Sequence, residues 1–594
     1  MKSFKNTCMN KVRYYINSIK KTKNAKEEAK FYKDCSFSNG FVGLSLDFIS
    51  KDEWNKILLD ADEICNGYIQ IYNYPSFMLK DWLVDPITLY RIPKSINCSF
   101  IRTSSLIGKV DVKNYWEMGH LHAVFTLAEA YWYTKEEKYA RQAMEIILSF
   151  INANPCGKTI QWKCIMDVSI RAANISQASY LICDSKAFID NCSRIAESLA
   201  EHILYISSNY ENLGERPNNH YLSDLTGVIV AGVFLTKCFP EYQLIQKIIN
   251  EAINNMNDEV SRQINPDGAD YENSSYYHCF VTELCCAVLN TLKTNSFPVT
   301  AGFERSCERM VGQCEWLGAF DNRLPLIGDQ DGSRLFLATG YFDVDRCDFS
   351  YLSRIGVHSE VPEANPASNG ISKMQNGKLI VYVKCGEIGT DRKGVHDHND
   401  QLSLTVFYNE KPIIIDCGTF LYTKDPRARK KYRSTSSHST LVVETLEQND
   451  IDSGMFYIKN GVSGKSITSG NDSFHGRFKY KNGITHDRII ETSKNEIAVY
   501  DHVFPLQVPA HIQYLLPEEV TVSHVETNRV QCLTESASIV IDFNTEVVIQ
   551  DINYSTAYGV EKKGHIIKTC RIKDTTITKL SFFSIIHKNN EAIK

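Results

Sequence analysis

The chain has 594 residues, 43% of them hydrophobic and 23% charged, with a formal net charge of −5. That length exceeds what one hydrophobic core usually supports, so at least two domains are expected, and the apolar share excludes a disordered chain. The two signs are evenly mixed outside a lysine-rich start from Lys20 to Lys33, which argues against nucleic acid as the main partner, although a local basic cleft can still hold an acidic polymer.

Residues 1–44 read as a basic N-terminal extension. They contain no apolar segment followed by small residues of the kind that marks an export signal, and no stretch of the chain is expected to span a membrane. The nineteen cysteines are odd in number and lack any C-x-x-C pair, so they read as reduced thiols rather than a disulfide framework. The expectation is therefore cytoplasmic.

Residues 45–365 read as a helical domain. Apolar residues recur at helical spacing, as in Leu121, Val124, Phe125 and Ala128, or Leu222, Leu225, Ile229 and Val233. Breakers such as Ala153-Asn154-Pro155-Cys156-Gly157 separate the helices. Helical hairpins with short connections can close into a ring that buries their apolar faces.

Residues 366–594 read as a β domain. Leu402, Leu404, Val406 and Tyr408 alternate with mostly polar neighbours, Asn409-Glu410-Lys411 turns the chain, and Ile413-Ile414-Ile415 returns it. Leu379 to Val383, Leu441 to Val443, Ile497 to Tyr500 and Leu580 to Ile586 continue the strand texture of an antiparallel sandwich.

Three clusters can carry chemistry. Pro217-Asn218-Asn219-His220-Tyr221 stands before the helix near Leu222. An asparagine there serves as an N-cap, while an adjacent imidazole and carboxamide at a positive helix end can meet a carboxylate. Asp267 to His278 brings a glycine turn into an aromatic helix start. Tyrosines there are commonly packing residues, yet a phenol can act as acid or base. His396-Asp397-His398-Asn399-Asp400, with Asp416 and His438 at nearby strand ends, offers two imidazoles and a carboxylate to a zinc ion. Asp267, Glu272, Asp329 and Asp331 could form a hydrolase-type carboxylate pair, but loop solvation and helix capping are the preferred reading. Nucleotide-loop, zincin and serine-hydrolase motifs do not occur.

In order, PNNHYLSDLTGVIVAG, DGADYENSSYYH, IGDQDGSR, HDHNDQLSLTVFYNEKPIIIDCGT and YRSTSSHSTLVV resemble the heparinase II/III-type polysaccharide lyases. The stretch WEMGHLHAVFTLAEAYWYTKEEKYAR and residues 162–180 extend the likeness, which covers roughly residues 110–450. The resemblance implies an incomplete (α/α) toroid followed by an antiparallel β-sandwich, an α+β multidomain chain with its active site between the two parts. It implies β-elimination on a uronate-containing acidic polysaccharide or oligosaccharide. Asn219 corresponds to the residue that neutralises the uronate carboxylate, His220 to the neighbouring histidine, Tyr277 to the catalytic tyrosine, and His396 to the histidine from the β domain. His398, Asp416 and His438 correspond to the ligands of a structural divalent metal, usually zinc. Arg171, Glu272 and Tyr432 are further candidates for substrate contact. Asp397 and Asn399 depart from the smaller or apolar residues common there, and the family's usual periplasmic location stands against the cytoplasmic expectation. A homodimer is left open. The rival readings are a C5-uronyl epimerase on the same scaffold and a glycan-binding or assembly protein of surface-polysaccharide biosynthesis.

Overall fold

The computed structural model describes Lys23 and residues 46–585, except 47–48, 213–216, 239–242, 319–322, 339, 356, 362–364, 366, 445, 453, 460, 506–507 and 573. The basic extension expected over 1–44 thus lies outside the described residues, Lys23 apart.

Side-chain pattern separates two kinds of helix. After α1 (Lys51–Cys65) and the strand pair β1 (Tyr68–Ile69) and β2 (Phe77–Met78) come α2 (Val112–Gly119), α3 (His122–Thr134), α4 (Glu137–Ala153), α5 (Ile165–Leu181) and α6 (Cys192–Ser207). They are followed by α7 (Asn219–Cys238), α8 (Gln243–Gln263), α9 (Ser275–Thr294) and α10 (Ala301–Leu317). Helices α5, α7 and α9, and all but the C-terminal end of α3, are buried on nearly every face. By contrast α8 buries essentially one stripe, Ile245, Ile249, Ala252, Met256 and Val260. The first kind forms an inner layer in which α3 packs on α5, α5 on α7 and α7 on α9, while α4, α6, α8 and α10 lie outside against it. This is the incomplete toroid.

Helix α7 is long and apolar enough to cross a membrane by length and composition alone, contrary to the reading that no stretch has the length, but most of it is buried within the fold. Its apolar surface is spent inside the toroid. A Cβ on Gly227 would stand 2.5 Å from Ser169 Cβ and 2.6 Å from Ser169 Cα, so glycine sets the approach of α7 to α5.

Strands begin at β3 (Ile371–Asn376) and β4 (Leu379–Lys384), continue through β5 (Ser403–Tyr408) and β6 (Lys411–Ile414), and form one four-stranded antiparallel sheet in that order. A second has the order β16 (Val547–Ala557), β17 (Val560–Thr569), β12 (Ala510–Leu516) and β7 (Leu441–Val443). The two abut through Ile415 N–H on the Leu515 carbonyl and Leu404 N–H on the Ser439 carbonyl. Facing them is an eight-stranded sheet of β13 (Thr521–Glu526), β14 (Arg529–Leu533), β15 (Ala537–Phe543), β18 (Thr575–Ser584), β11 (Glu496–Phe504), β10 (Thr485–Ser493), β9 (Ser473–Lys479) and β8 (Lys465–Ser469), in that order.

Strand alternation explains how the sandwich meets the toroid. In β4, Leu379, Val381 and Val383 enter the sandwich core, whereas Ile380 and Tyr382 join the helical core. The Tyr382 hydroxyl donates to the Leu317 carbonyl at the end of α10, so the sheet is the middle of three layers.

Candidate active site

A cavity of about 440 Å³ lies where the toroid meets the β domain. The helical side contributes Lys113 and Trp116 of α2, Met166 of α5, Asn218 and His220 at the start of α7, and Tyr277 of α9. The β side contributes Val395, His396, Tyr422, Met455 and Phe456. Of the four expected catalytic residues, His220, Tyr277 and His396 reach its wall.

Local caps aim these side chains. Asn218 Oδ1 accepts the His220 N–H, so the N-cap role falls to Asn218 and Asn219 is released for other work. Ser274 caps α9 by accepting the Tyr277 N–H, which fixes the first turn carrying the phenol. Tyr277 lies on His396 with ring centroids 3.6 Å apart.

Asn219 stands one layer behind the wall, fully buried. Its Nδ2 donates to both Glu272 oxygens, at 3.1 and 2.8 Å, and lies 3.4 Å from His396 Nε2. The opposite orientation of the carboxamide would set its oxygen against a carboxylate. Glu272 also accepts the Asn219 backbone N–H at 2.6 Å and is itself fully buried. It therefore positions Asn219 and does not face the cavity, contrary to its expected substrate contact.

The other two substrate candidates are corrected likewise. Arg171 is buried in the toroid, where its guanidinium donates to His202 Nε2 and the carbonyls of Gly119 and Gln161. Tyr432 is buried in the β domain and donates to Glu561. Neither lines the cavity.

The hub of the site is Asp329, for which sequence alone favours loop solvation or helix capping. One oxygen takes His396 Nδ1 at 2.9 Å and the other takes His398 Nε2 at 2.8 Å. Arg429, on α11 (Pro426–Arg433), grips both oxygens, with Nη2 at 2.6 Å from Oδ2. Burial by itself would raise this carboxyl; Arg429 and the two histidines hold it well below the usual range. Gly328 makes the approach geometrically feasible, because a Cβ there would lie 2.9 Å from the His396 carbonyl oxygen. The IGDQDGSR run was visible in sequence, but Arg429 lay in a basic helix with no distinguishing signal.

Two further ion pairs set the field. Lys113 Nζ donates to Asp331 at 2.7 Å beside the cavity. His220 Nδ1 meets Glu211 at 2.8 Å; burial lowers this histidine, and the carboxylate more than offsets that, lifting it to about 9. Burial, reinforced by the charge of Asp331, holds the Tyr277 phenol well above its ordinary value. The phenol is thus protonated and His220 is cationic near neutrality.

Behind the site, His398, Asp416, Cys417 and His438 are all buried, with one potential ligand atom each within 4.8 Å of one another. Among the described residues His398 Nδ1 has no hydrogen-bond partner while its Nε2 is held by Asp329, the outer-partner arrangement of a metal-binding imidazole. The donor set fits a zinc ion. Cys417 was not among the expected ligands.

Residues 6–334 match the family model described as Heparinase II/III N-terminus, and residues 363–579 the one described as Heparinase II/III-like, C-terminal. Among curated proteins the chain is similar to a heparin-sulfate lyase of Pedobacter heparinus, 22% identical over 355 residues, 55% of this chain and 52% of that protein. It is also similar to one of Bacteroides stercoris, 22% identical over 387 residues, 57% of this chain and 54% of that protein. The chain thus spans about half the length of these two relatives. A crystal structure of heparinase III superposes with a TM-score of 0.63 at 15% identity, covering 96% of this chain and 92% of that one, a likeness of fold.

Proposed function

The chain belongs to the heparinase II/III family, and from that premise we propose that it is a carbon–oxygen lyase that cleaves a uronate-containing acidic polysaccharide by β-elimination. The observation that carries the reading is the meeting of Tyr277 and His396, from opposite domains, on one cavity wall beside cationic His220. Heparin-sulfate lyases as relatives support a glycosaminoglycan as the substrate class.

Elimination requires loss of the weakly acidic C5 proton and departure of the 4-O-linked sugar. Charge accumulates on the uronate carboxylate in between, and it is there that the enzyme must supply stabilisation. His220, lifted to about 9, supplies positive charge at the wall. Asn219, its amide engaged by Glu272, backs this wall with Nδ2 3.4 Å from His396 Nε2. In the proposed reaction His396 takes the C5 proton, its ring held between Asp329 on Nδ1 and Glu272 on Nε2, 2.9 and 3.3 Å away. The C4–O4 bonding pair leaves with oxygen, the C4–C5 double bond forms, and the Tyr277 hydroxyl protonates the departing oxygen.

His398, Asp416 and His438 are assigned to one zinc ion. Bound there, it would cross-link three segments of the β domain and so brace the histidine loop, supplying charge and geometry.

The test is incubation of the purified protein with a panel of uronate polysaccharides beginning with heparan sulfate, reading the ultraviolet absorbance of 4,5-unsaturated ends. Absorbing products support the lyase; deuterium entry at C5 without chain cleavage, or silence across the panel with metal bound, overturns it.

A further inference from the structure

Resting on that assignment of a metal site, we propose that Cys417 is a fourth ligand, closing it as a set of two imidazoles, one carboxylate and one thiolate. Cys417 follows Asp416 just beyond β6, where the chain leaves the strand and both consecutive side chains turn toward His438. Its Sγ stands 4.0 Å from His438 Nδ1, and Asp416 Oδ2 stands 2.7 Å from the same nitrogen. Tetrahedral zinc with ordinary Zn–S and Zn–N bonds separates sulfur from nitrogen by about 3.6 Å, so a shift of a few tenths of an ångström suffices.

Burial points the same way. Cys417 is 1% exposed, and the other three residues are between 0 and 5% exposed. None of the four lines the catalytic cavity. A catalytic zinc keeps an open position for water or substrate, whereas a structural one is fully ligated by protein. Cys417 and the two histidines line no described cavity, and Asp416 alone borders a second one of about 420 Å³, apart from the catalytic site; a thiol at ligand distance among them satisfies the second condition. It also narrows the ion, because a soft thiolate selects zinc over magnesium or calcium. The Cys417 S–H donates to the Tyr432 carbonyl at 3.1 Å; on binding metal that proton passes to solvent and the sulfur electron pair goes to the metal.

The full chain is stripped of metal and loaded with Co²⁺. A tetrahedral ligand-field spectrum together with an intense near-ultraviolet thiolate-to-cobalt band in the wild type, the band being lost in Cys417→Ser, is the expected result. Zinc affinity in that variant should fall by at least the roughly 10- to 100-fold typical of losing an outer partner. Ligand-field bands without the thiolate band in the wild type would overturn the role of Cys417 and leave the three-residue site standing. Failure to take up cobalt or zinc would overturn the metal site itself, and this proposal with it. The wild-type spectrum decides the matter even if the variant folds poorly.

Discussion

The phenol of Tyr277 lies flat on the imidazole of His396, centroids 3.6 Å apart and planes inclined by 15°, so one helix start and one β-domain loop share a single reactive face. Tyr277→Phe keeps that stack and removes only the hydroxyl. The expected outcome is a fall in kcat of about 10²- to 10⁴-fold, the usual contribution of a positioned proton donor, with the near-ultraviolet circular dichroism unchanged. A variant that still releases unsaturated uronate at the wild-type rate would exclude the phenol as the acid.

Asp329 is gripped through both oxygens by Arg429 in a fully buried pair. Truncating Arg429 to Met leaves that carboxylate, among the described residues, with His396, His398 and Thr419 as side-chain partners. Such a loss costs about 3–5 kcal/mol. Urea denaturation should report it, and Arg429→Lys, which keeps the charge without the fork, should cost less. A loss under about 1 kcal/mol, no more than a surface pair is worth, would mean that Asp329 is held by its other partners.

His220 is lifted to about 9 by Glu211 against the opposing effect of burial. Since its folded value lies above the unfolded one near 6.5, the pair stabilises the fold fully below about pH 6.5, and that contribution is lost as pH rises through about 9. If the imidazolium meets the substrate carboxylate, KM should rise over the same interval. Glu211→Gln should move the histidine titration, followed by NMR, toward lower pH. An unmoved titration would show that Glu211 does not set the charge.

Glycine-to-alanine changes should have opposite signs at two sites. At Gly227 a new Cβ would press on Ser169 Cβ, Cα and O at 2.5, 2.6 and 2.7 Å, backbone that cannot swing aside. About 1–3 kcal/mol of destabilisation is expected. At Gly302, near the start of α10, nothing lies within 4 Å, and helix preference should contribute about 0.5–1 kcal/mol of stability. Thermal unfolding of both variants separates these outcomes.

By itself the sequence determined the two periodicities and therefore the two architectures. Apolar residues at helical spacing specify helices, but both examples that read as amphipathic, around Leu121 and Leu222, are buried on nearly every face, so which helices form the inner layer was decided by packing. Alternation in β5 specifies a sheet. The clusters around Asn219, Tyr277 and His396 were also legible, because each joins unusual polar residues to the start of an element. Tertiary structure alone decided the partners. Asp329 reads as an ordinary loop carboxylate until Arg429, a hundred residues later, neutralises it in the dry interface where His396 and His398 also arrive. Arg171, Glu272 and Tyr432 had the right chemistry for a sugar and the wrong address, each turned into protein. Burial and long-range pairing fix what a charged side chain does, and neither is encoded in the spacing of its neighbours.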